Sequence, residues 1–326
     1  MKATAKAHAN IALVKYWGKR DLQLNLPAVG SISMTLDALS TKTTVHFSPE
    51  FERDELWLND KPADEKASRR TSKFLDIFRA QFAVKTFARI DSSNDFPTGA
   101  GLASSASGFA ALTKAVSAAL NLSLSPKELT QYARIGSGSA ARSIFGGFVE
   151  MHRGKRKDGS DAFAEQLYPA DYWPLEMLIL ITSEAQKPIG STEGMNLTAE
   201  TSPYFEAWVH SSMNDISEMR NALHKKDFEK LGILSEFSCF KMHALAMSAN
   251  PAILYWNPET VRLIHEIRKL RKEGIQAYLT MDAGPQVKVI CLPEDAQRLA
   301  EHLSKMEGVR RVLRSQIGGD TQICDS

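Results

Sequence analysis

Cysteine is scarce in this chain, with only Cys239, Cys291 and Cys324 among 326 residues. They are odd in number, far apart and form no CxxC pair, which argues against both a disulfide framework and a thiolate zinc site. A reducing compartment is the expectation. Long apolar runs are missing too: the longest, Leu175 to Thr182, is far short of the ~18 residues a membrane-spanning helix needs. The start, MKATAKAHANIALVKYW, has no signal-peptide core or cleavage site. The expected location is therefore the cytoplasm, with no membrane partner. Charge of one sign is also lacking, since 40 Lys and Arg face 38 Asp and Glu for a net charge of +2. Bulk charge gives no reason to expect a nucleic-acid partner, and any basic site must be local.

Several catalytic patterns are absent as well. The eight histidines show no HExxH or other metal spacing. No GxSxG elbow marks a serine hydrolase, no strand-linked GxGxxG marks a dinucleotide site, and no GxxxxGK[ST] marks a Walker A loop. What remains is 43% apolar and 24% charged residues, the balance of a globular protein with a real core. The length fits two domains.

Short β-branched or aromatic stretches predict strands at Ile11 to Trp17, Ser31 to Leu36, Lys42 to Ser48, Glu55 to Asn59 and Val84 to Ser92. Phe74, Leu75, Ile77, Phe78 and Phe82 follow a helical period. Ala106 to Leu120 is small or apolar nearly all round, which predicts a buried helix. Ser125-Pro126-Lys127-Glu128 has the order of an N-cap, an N1 proline and an N3 carboxylate, and so predicts a helix start. Ser202-Pro203 and Asn257-Pro258 repeat the cap-then-proline signal, and Gly274 supplies a stop. The second half then reads as strands Gln276 to Met281 and Val287 to Leu292, a helix, and strand Arg310 to Arg314. A strand-rich half followed by a helix-led half predicts an α+β fold of two domains, residues 1–185 and 186–326.

Four segments can carry chemistry. PTGAGLASSASG, Pro97 to Gly108, is a glycine-rich turn ahead of a buried helix. Free N–H groups and the helix dipole there suit a phosphate, although a tight turn with serine caps fits the same residues. RIGSGSAAR, Arg134 to Arg142, alternates glycine and serine and closes on arginine. Two hydroxyls and a guanidinium fork suit a diphosphate or carboxylate, against a flexible connection as the plainer reading. In Asn10 to Asp21 a continued strand would put Lys15, Trp17 and Lys19 on one face, and a lysine buried in a strand needs a partner. Asp282 closes a strand ahead of Ala283-Gly284-Pro285, where an aspartate ordinarily caps backbone N–H groups.

These segments resemble the GHMP kinase superfamily, and within it the diphosphomevalonate decarboxylase family. The matching motifs are ANIALVKYWGKRD (Ala9 to Asp21), SISMTL (Ser31 to Leu36), FPTGAGLASSASG (Phe96 to Gly108), RIGSGSAARSIFGGF (Arg134 to Phe148), GSTEGM (Gly190 to Met195) and MDAGP (Met281 to Pro285). The resemblance implies a ribosomal protein S5 domain 2-like N-terminal domain, a ferredoxin-like GHMP C-terminal domain and a cleft between them. It implies that ATP phosphorylates the 3-hydroxyl of mevalonate 5-diphosphate, after which phosphate and CO2 leave to give isopentenyl diphosphate. By matching position, Asp282 and Lys15 are catalytic, and Tyr16, Lys19, Ser137, Ser139 and Arg142, supported by Asn10, hold the substrate. Pro97, Gly99, Ala100, Gly101, Leu102, Ser104, Ser105 and Ser107 cradle ATP, Ser105 meets Mg2+, and Lys187 closes over the nucleotide phosphates. Family members are commonly homodimers. Two positions depart from the pattern: Thr192 stands where bacterial members often carry arginine, and Gln286 where asparagine is common. A decarboxylase of the 5-monophosphate, a 3-kinase and a silent GHMP-fold binding protein are the alternatives.

Overall fold

The computed structural model describes residues 1–96, 104–183, 185 and 189–324. The chain begins with β1 (Lys2–Val14), the short pair β2 (Lys19–Asp21) and β3 (Leu26–Pro27), and the 18-residue β4 (Ser31–Ser48). There follow β5 (Glu55–Leu58), β6 (Lys61–Pro62), α1 (Glu65–Phe82), β7 (Phe87–Asn94), α2 (Ser104–Ala119) and α3 (Pro126–Gly136). A 3₁₀ segment, Gly138–Ile144, leads to β8 (Phe148–Met151), β9 (Ala164–Tyr168) and β10 (Glu176–Ile181). Helices α4 (Ser191–Thr201), α5 (Phe205–Lys225), α6 (Phe228–Met247) and α7 (Pro258–Lys272) come next. The chain closes with β11 (Ala277–Thr280), β12 (Val287–Cys291), α8 (Pro293–Leu303), β13 (Arg311–Ser315) and β14 (Gln322–Cys324).

The larger sheet runs β14-β1-β4-β7-β5-β6, with β8 and β9 added on the far part of β4. The smaller runs β11-β12-β10-β13 and is antiparallel throughout. Strand β10 therefore belongs to the second sheet although it precedes residue 186, and β14 returns to pair with β1.

Burial along β1 and β4 shows how these strands join two cores. In the second half of β4, Thr43, Val45 and Phe47 are buried while Lys42, Thr44 and His46 reach the other face. That is the period of a sheet covered on one side, here by α1 and α2 through Phe74, Phe78, Ala111 and Ala115. The first six residues of β4, Ser31 to Leu36, are buried without a break, because Ile32, Met34 and Leu36 pack on Met177, Ile179 and Ile181 of the second sheet. The two strands expected within 31–48 are accordingly one. Neither proline nor glycine interrupts them, and the pairing with β1 is kept through register shifts between His8 and Asn10 and between Ala12 and Val14.

The other face of the second sheet buries Leu178, Leu180, Val287 and Val289 against Leu263, Ile267, Leu299 and Leu303 of α7 and α8. Ser125 accepts from the Glu128 N–H and Glu128 answers the Ser125 N–H, the capping box the sequence predicts; it is worth about 1 kcal/mol to α3. Asn257 caps α7 with Pro258 behind it in the same way. Ser202 does not cap α5. It ends α4 and bonds to Ser248, just past the end of α6, because α5 begins only at Phe205.

Candidate active site

The ends of β1 and β11, the 3₁₀ segment and the first turns of α2 and α4 converge on one cleft of about 1050 Å³. Lys15, Lys19, Lys66, Arg70 and Arg142 line it, against the carboxylates of Glu193, Glu200 and Asp282. Its cationic side chains outnumber its carboxylates, which favours a multiply charged anion.

Strand β1 stops at Val14, so the alternating face expected for Lys15, Trp17 and Lys19 does not form. The chain breaks there because helices from the second half take hold of it. The Ser238 hydroxyl of α6 accepts from the Lys15 N–H at 2.9 Å. Trp17 donates its indole N–H to Thr198 of α4 at 2.7 Å, and its carbonyl accepts from Trp208 of α5 at 3.0 Å. Gly18 follows at φ +91°, a conformation that favours glycine.

Held in this way, Lys15 is 1% exposed and its ammonium lies 2.8 Å from Asp282 Oδ1. These residues are 267 positions apart in the chain. Met281, just before the aspartate, is fixed by its N–H to Cys239 Sγ at 3.1 Å. Burial alone would raise the Asp282 pKa, but the two ammonium groups of Lys15 and Lys288 outweigh it and hold the carboxyl well below the usual carboxylate range. A second lysine, Lys288, stands in none of the motifs. It lies in β12, 1% exposed, with its ammonium 3.3 Å from Asp282 Oδ2. Its signal was a lone lysine inside the apolar run Val287 to Leu292.

Arg142 is also buried. Its guanidinium donates to Asn10 Oδ1 at 3.1 Å and to Ser31 Oγ at 2.5 Å. Burial brings it down to about 10, opposed by the nearby Asp282 charge. Asn10 in turn donates to the Ser139 carbonyl at 3.0 Å and to Ser143 Oγ at 2.8 Å, so β1 and the 3₁₀ segment are fastened together behind the cleft. Ser105, Ser137 and Ser139 form a row of hydroxyls 3.3 Å apart along its wall. The buried Tyr16 hydroxyl has no partner among the described residues, and burial raises its pKa, which keeps it a neutral donor. Lys19 reaches Thr192 at 3.4 Å, and burial, assisted by Arg70, lowers its pKa to about 8.

The cleft thus brings together Asn10, Lys15, Tyr16, Lys19, Ser104, Ser105, Ser137, Ser139, Arg142 and Asp282. Ser107 does not line it; its hydroxyl is buried 2.6 Å from Thr41 on β4. Pro97, Gly99, Ala100, Gly101, Leu102 and Lys187 lie outside the described residues. Arg134 opens the glycine-serine motif yet serves the fold, donating to the carbonyls of Leu24, Gly159 and Ala162. Gln286 ties the aspartate turn to the end of β10, accepting from the Thr182 N–H at 2.7 Å and donating to the Ser183 carbonyl. His243 is buried in α6 against Trp256, and burial lowers its pKa to about 3.

Among the described residues no group of three or more His, Cys, Asp or Glu side chains could cage a metal. Magnesium usually keeps several waters and binds through substrate phosphates rather than in an all-protein cage. A second recess of about 840 Å³ follows α1, floored by Phe74 and Ile77 and rimmed by Lys66, Arg70 and Lys73.

Residues 7–164 match the diphosphomevalonate decarboxylase-like N-terminal domain, and residues 177–323 match the mevalonate 5-diphosphate decarboxylase C-terminal domain. The diphosphomevalonate decarboxylase of Aspergillus fumigatus is 40% identical over 327 residues, spanning 94% of this chain and 81% of its own. A solved complex of MDDEF with MVAPP, AMPPCP and magnesium superposes with a TM-score of 0.94 at 38% identity, covering 100% of this chain and 99% of that one. The mevalonate diphosphate decarboxylase from Enterococcus faecalis gives 0.93 at 38% identity with the same coverage. The two-domain α+β GHMP kinase fold expected from the motifs is the fold found. By profile, sequence and fold alike, the chain belongs to the diphosphomevalonate decarboxylase family.

Proposed function

We propose that this protein catalyses the ATP-dependent decarboxylation of mevalonate 5-diphosphate to isopentenyl diphosphate, ADP, phosphate and CO2. The observation that carries the reading is the Asp282 carboxylate, 2.8 Å from the buried Lys15 ammonium in a cleft walled by Arg142, Tyr16 and a row of serines. Related proteins have been solved with MVAPP, AMPPCP and magnesium.

In this reading Tyr16, Lys19, Ser137, Ser139 and Arg142 hold the diphosphate and carboxylate, with Asn10 fixing the guanidinium. The N-terminus of α2, Ser104 and Ser105 face the ATP phosphates, and the α1 recess takes the base over Phe74 and Ile77. Lys187, Pro97 and Gly99 to Leu102 remain assigned to the nucleotide on their motifs, while Ser107 supports the helix from behind. Magnesium, bound at the Ser105 hydroxyl and the phosphates, would neutralise charge on the transferring group.

Asp282 orients the 3-hydroxyl of the substrate. The 3-hydroxyl oxygen attacks the γ-phosphorus as the bond to ADP breaks, and the hydroxyl proton leaves with the phosphoryl oxygens or through the carboxylate. Because two lysines depress its basicity, Asp282 contributes mainly by orientation and by balancing charge. Lys15 stabilises the phosphoryl group in transit. The C–C bond to the carboxylate then breaks, its electron pair forms the double bond, and the C–O bond breaks to expel phosphate. Arg142 and the diphosphate contacts keep the carbon skeleton fixed through both steps.

We place the boundary between the two units in residues 169–175, between β9 and β10 rather than at residue 185, and take the protein to be a cytoplasmic homodimer. The test is to incubate it with ATP, magnesium and 1-¹⁴C-labelled mevalonate 5-diphosphate, measuring ADP and trapped CO2, beside the 5-monophosphate. Equimolar ADP and CO2 from the diphosphate are expected. ADP without CO2 would make it a 3-kinase, and preferred turnover of the monophosphate would overturn the substrate assignment.

A further inference from the structure

Lys288 occupies a position where an apolar residue would be expected. On β12 the alternate residues Val287, Val289 and Cys291 face α7 and α8, while Ile290 faces the core shared with β1. Lys288 shares the face of Ile290, between Thr280 on β11 and Ile179 on β10, and is 1% exposed. Burying an ammonium is costly, and exchanging a buried ion pair for well-packed apolar groups is often neutral or stabilising. Stability therefore does not account for a lysine there. Its ammonium reaches Asp282 Oδ2 at 3.3 Å while Lys15 takes Oδ1 at 2.8 Å. The two bonds grip opposite oxygens of one carboxylate, which fixes its rotation as a single contact could not.

We propose that Lys288 is a positioning residue for the reaction: it fixes the Asp282 carboxylate from behind, in the orientation that meets the substrate hydroxyl. Lys288 is not among the residues lining the cleft and so acts through Asp282. The proposal rests on the decarboxylase reading and deepens it. The other titratable or charged groups facing Asp282 are Lys15 at the end of β1, Arg142 on the 3₁₀ segment, and Cys239 and His243 on α6. Lys288→Met leaves these in place and removes one cation, so the carboxyl pKa rises toward what burial dictates.

The experiment is a double-mutant cycle of Lys288→Met with Asp282→Asn, following melting temperature, kcat, KM and the pH profile of kcat. Lys288→Met should fold and melt like wild type and lose about 100-fold in kcat, the scale of a ~1 Å misplacement. KM for mevalonate 5-diphosphate should stay within about 3-fold. The acid limb of kcat should move to higher pH. In the Asp282→Asn background, Lys288→Met should cost nothing further, since its effect runs through the group already removed. Lys288→Gln, neutral but polar, gives the same readouts if the Met variant does not fold. Near-wild-type kcat with an unmoved acid limb, or an equal loss in both backgrounds, would overturn the role. Wild-type protein that releases no CO2 would instead overturn the decarboxylase reading, and this role with it.

Discussion

Replacing Asp282 by asparagine separates catalysis from binding. The side chain is 27% exposed, while both lysines that hold it are 1% exposed, at 2.8 and 3.3 Å. With an effective dielectric of about 20, each contact is worth roughly 5–6 kcal/mol of gross attraction before desolvation. Breaking a buried pair costs about 3–5 kcal/mol. Here the opening to the cleft and the lowered pKa of Lys288, which burial and Lys15 drive, let the orphaned charge relax by water or by proton loss. A net loss of about 2 kcal/mol follows, or about 4–8 °C in melting temperature. Turnover should fall at least ~100-fold, about 2.7 kcal/mol on the barrier, as for loss of a positioned acid-base or electrostatic group. Affinity for the polyanionic substrates should hold or improve, since a negative charge has left the cleft. Calorimetric titration beside steady-state kinetics reads both quantities. Turnover within about 3-fold of wild type, or a fall in affinity matching the fall in turnover, would refute the reasoning.

Three further predictions concern the anion contacts. Arg142→Lys keeps the charge but loses the fork held by Asn10 and Ser31, so kcat/KM for mevalonate 5-diphosphate should fall about 10- to 100-fold, with ATP binding changed far less; equal losses would contradict the assignment. Lys19, lowered to about 8, is protonated below that pH and neutral above it, so kcat/KM should decline as pH rises through about 8, and Lys19→Met should abolish that limb in a pH-rate profile. A Cβ on Gly138 would collide with the Tyr16 hydroxyl, so Gly138→Ala should raise KM for the substrate at least several-fold while circular dichroism and melting stay close to wild type.

The parts of this molecule legible in its sequence are those fixed within a few residues. The capping box at Ser125 and the apolar α2 are examples, because local hydrogen bonding and a nearly all-apolar surface leave few alternatives. Ser202-Pro203 has the same local signal and still fails as a cap, since the Ser248 hydroxyl competes for the serine from just past the end of another helix. Strand β14 is three residues of a polar tail whose pairing depends on the exposed edge of β1. In the site, residue chemistry suggested anion binding by Ser137 to Arg142, but not that Lys15 and Asp282 meet across 267 positions; that came from the resemblance. Lys288 falls inside the strand expected at Val287 to Leu292, and nothing local says which sheet face looks toward β1. Ser107 matched its motif, yet its position in the turn of α2 directs the hydroxyl at Thr41.

The central claim is that the Asp282 carboxylate and the anion contacts of Arg142, Tyr16 and the serine row address one small molecule in one cleft. A crystal structure of this protein with mevalonate 5-diphosphate and a non-hydrolysable ATP analogue tests it most directly. The 3-hydroxyl is expected within about 3 Å of an Asp282 oxygen, with the 5-diphosphate on Tyr16, Lys19 and Ser139. A bound substrate whose 3-hydroxyl points away from Asp282, or whose diphosphate lies on the α1 recess, would contradict it.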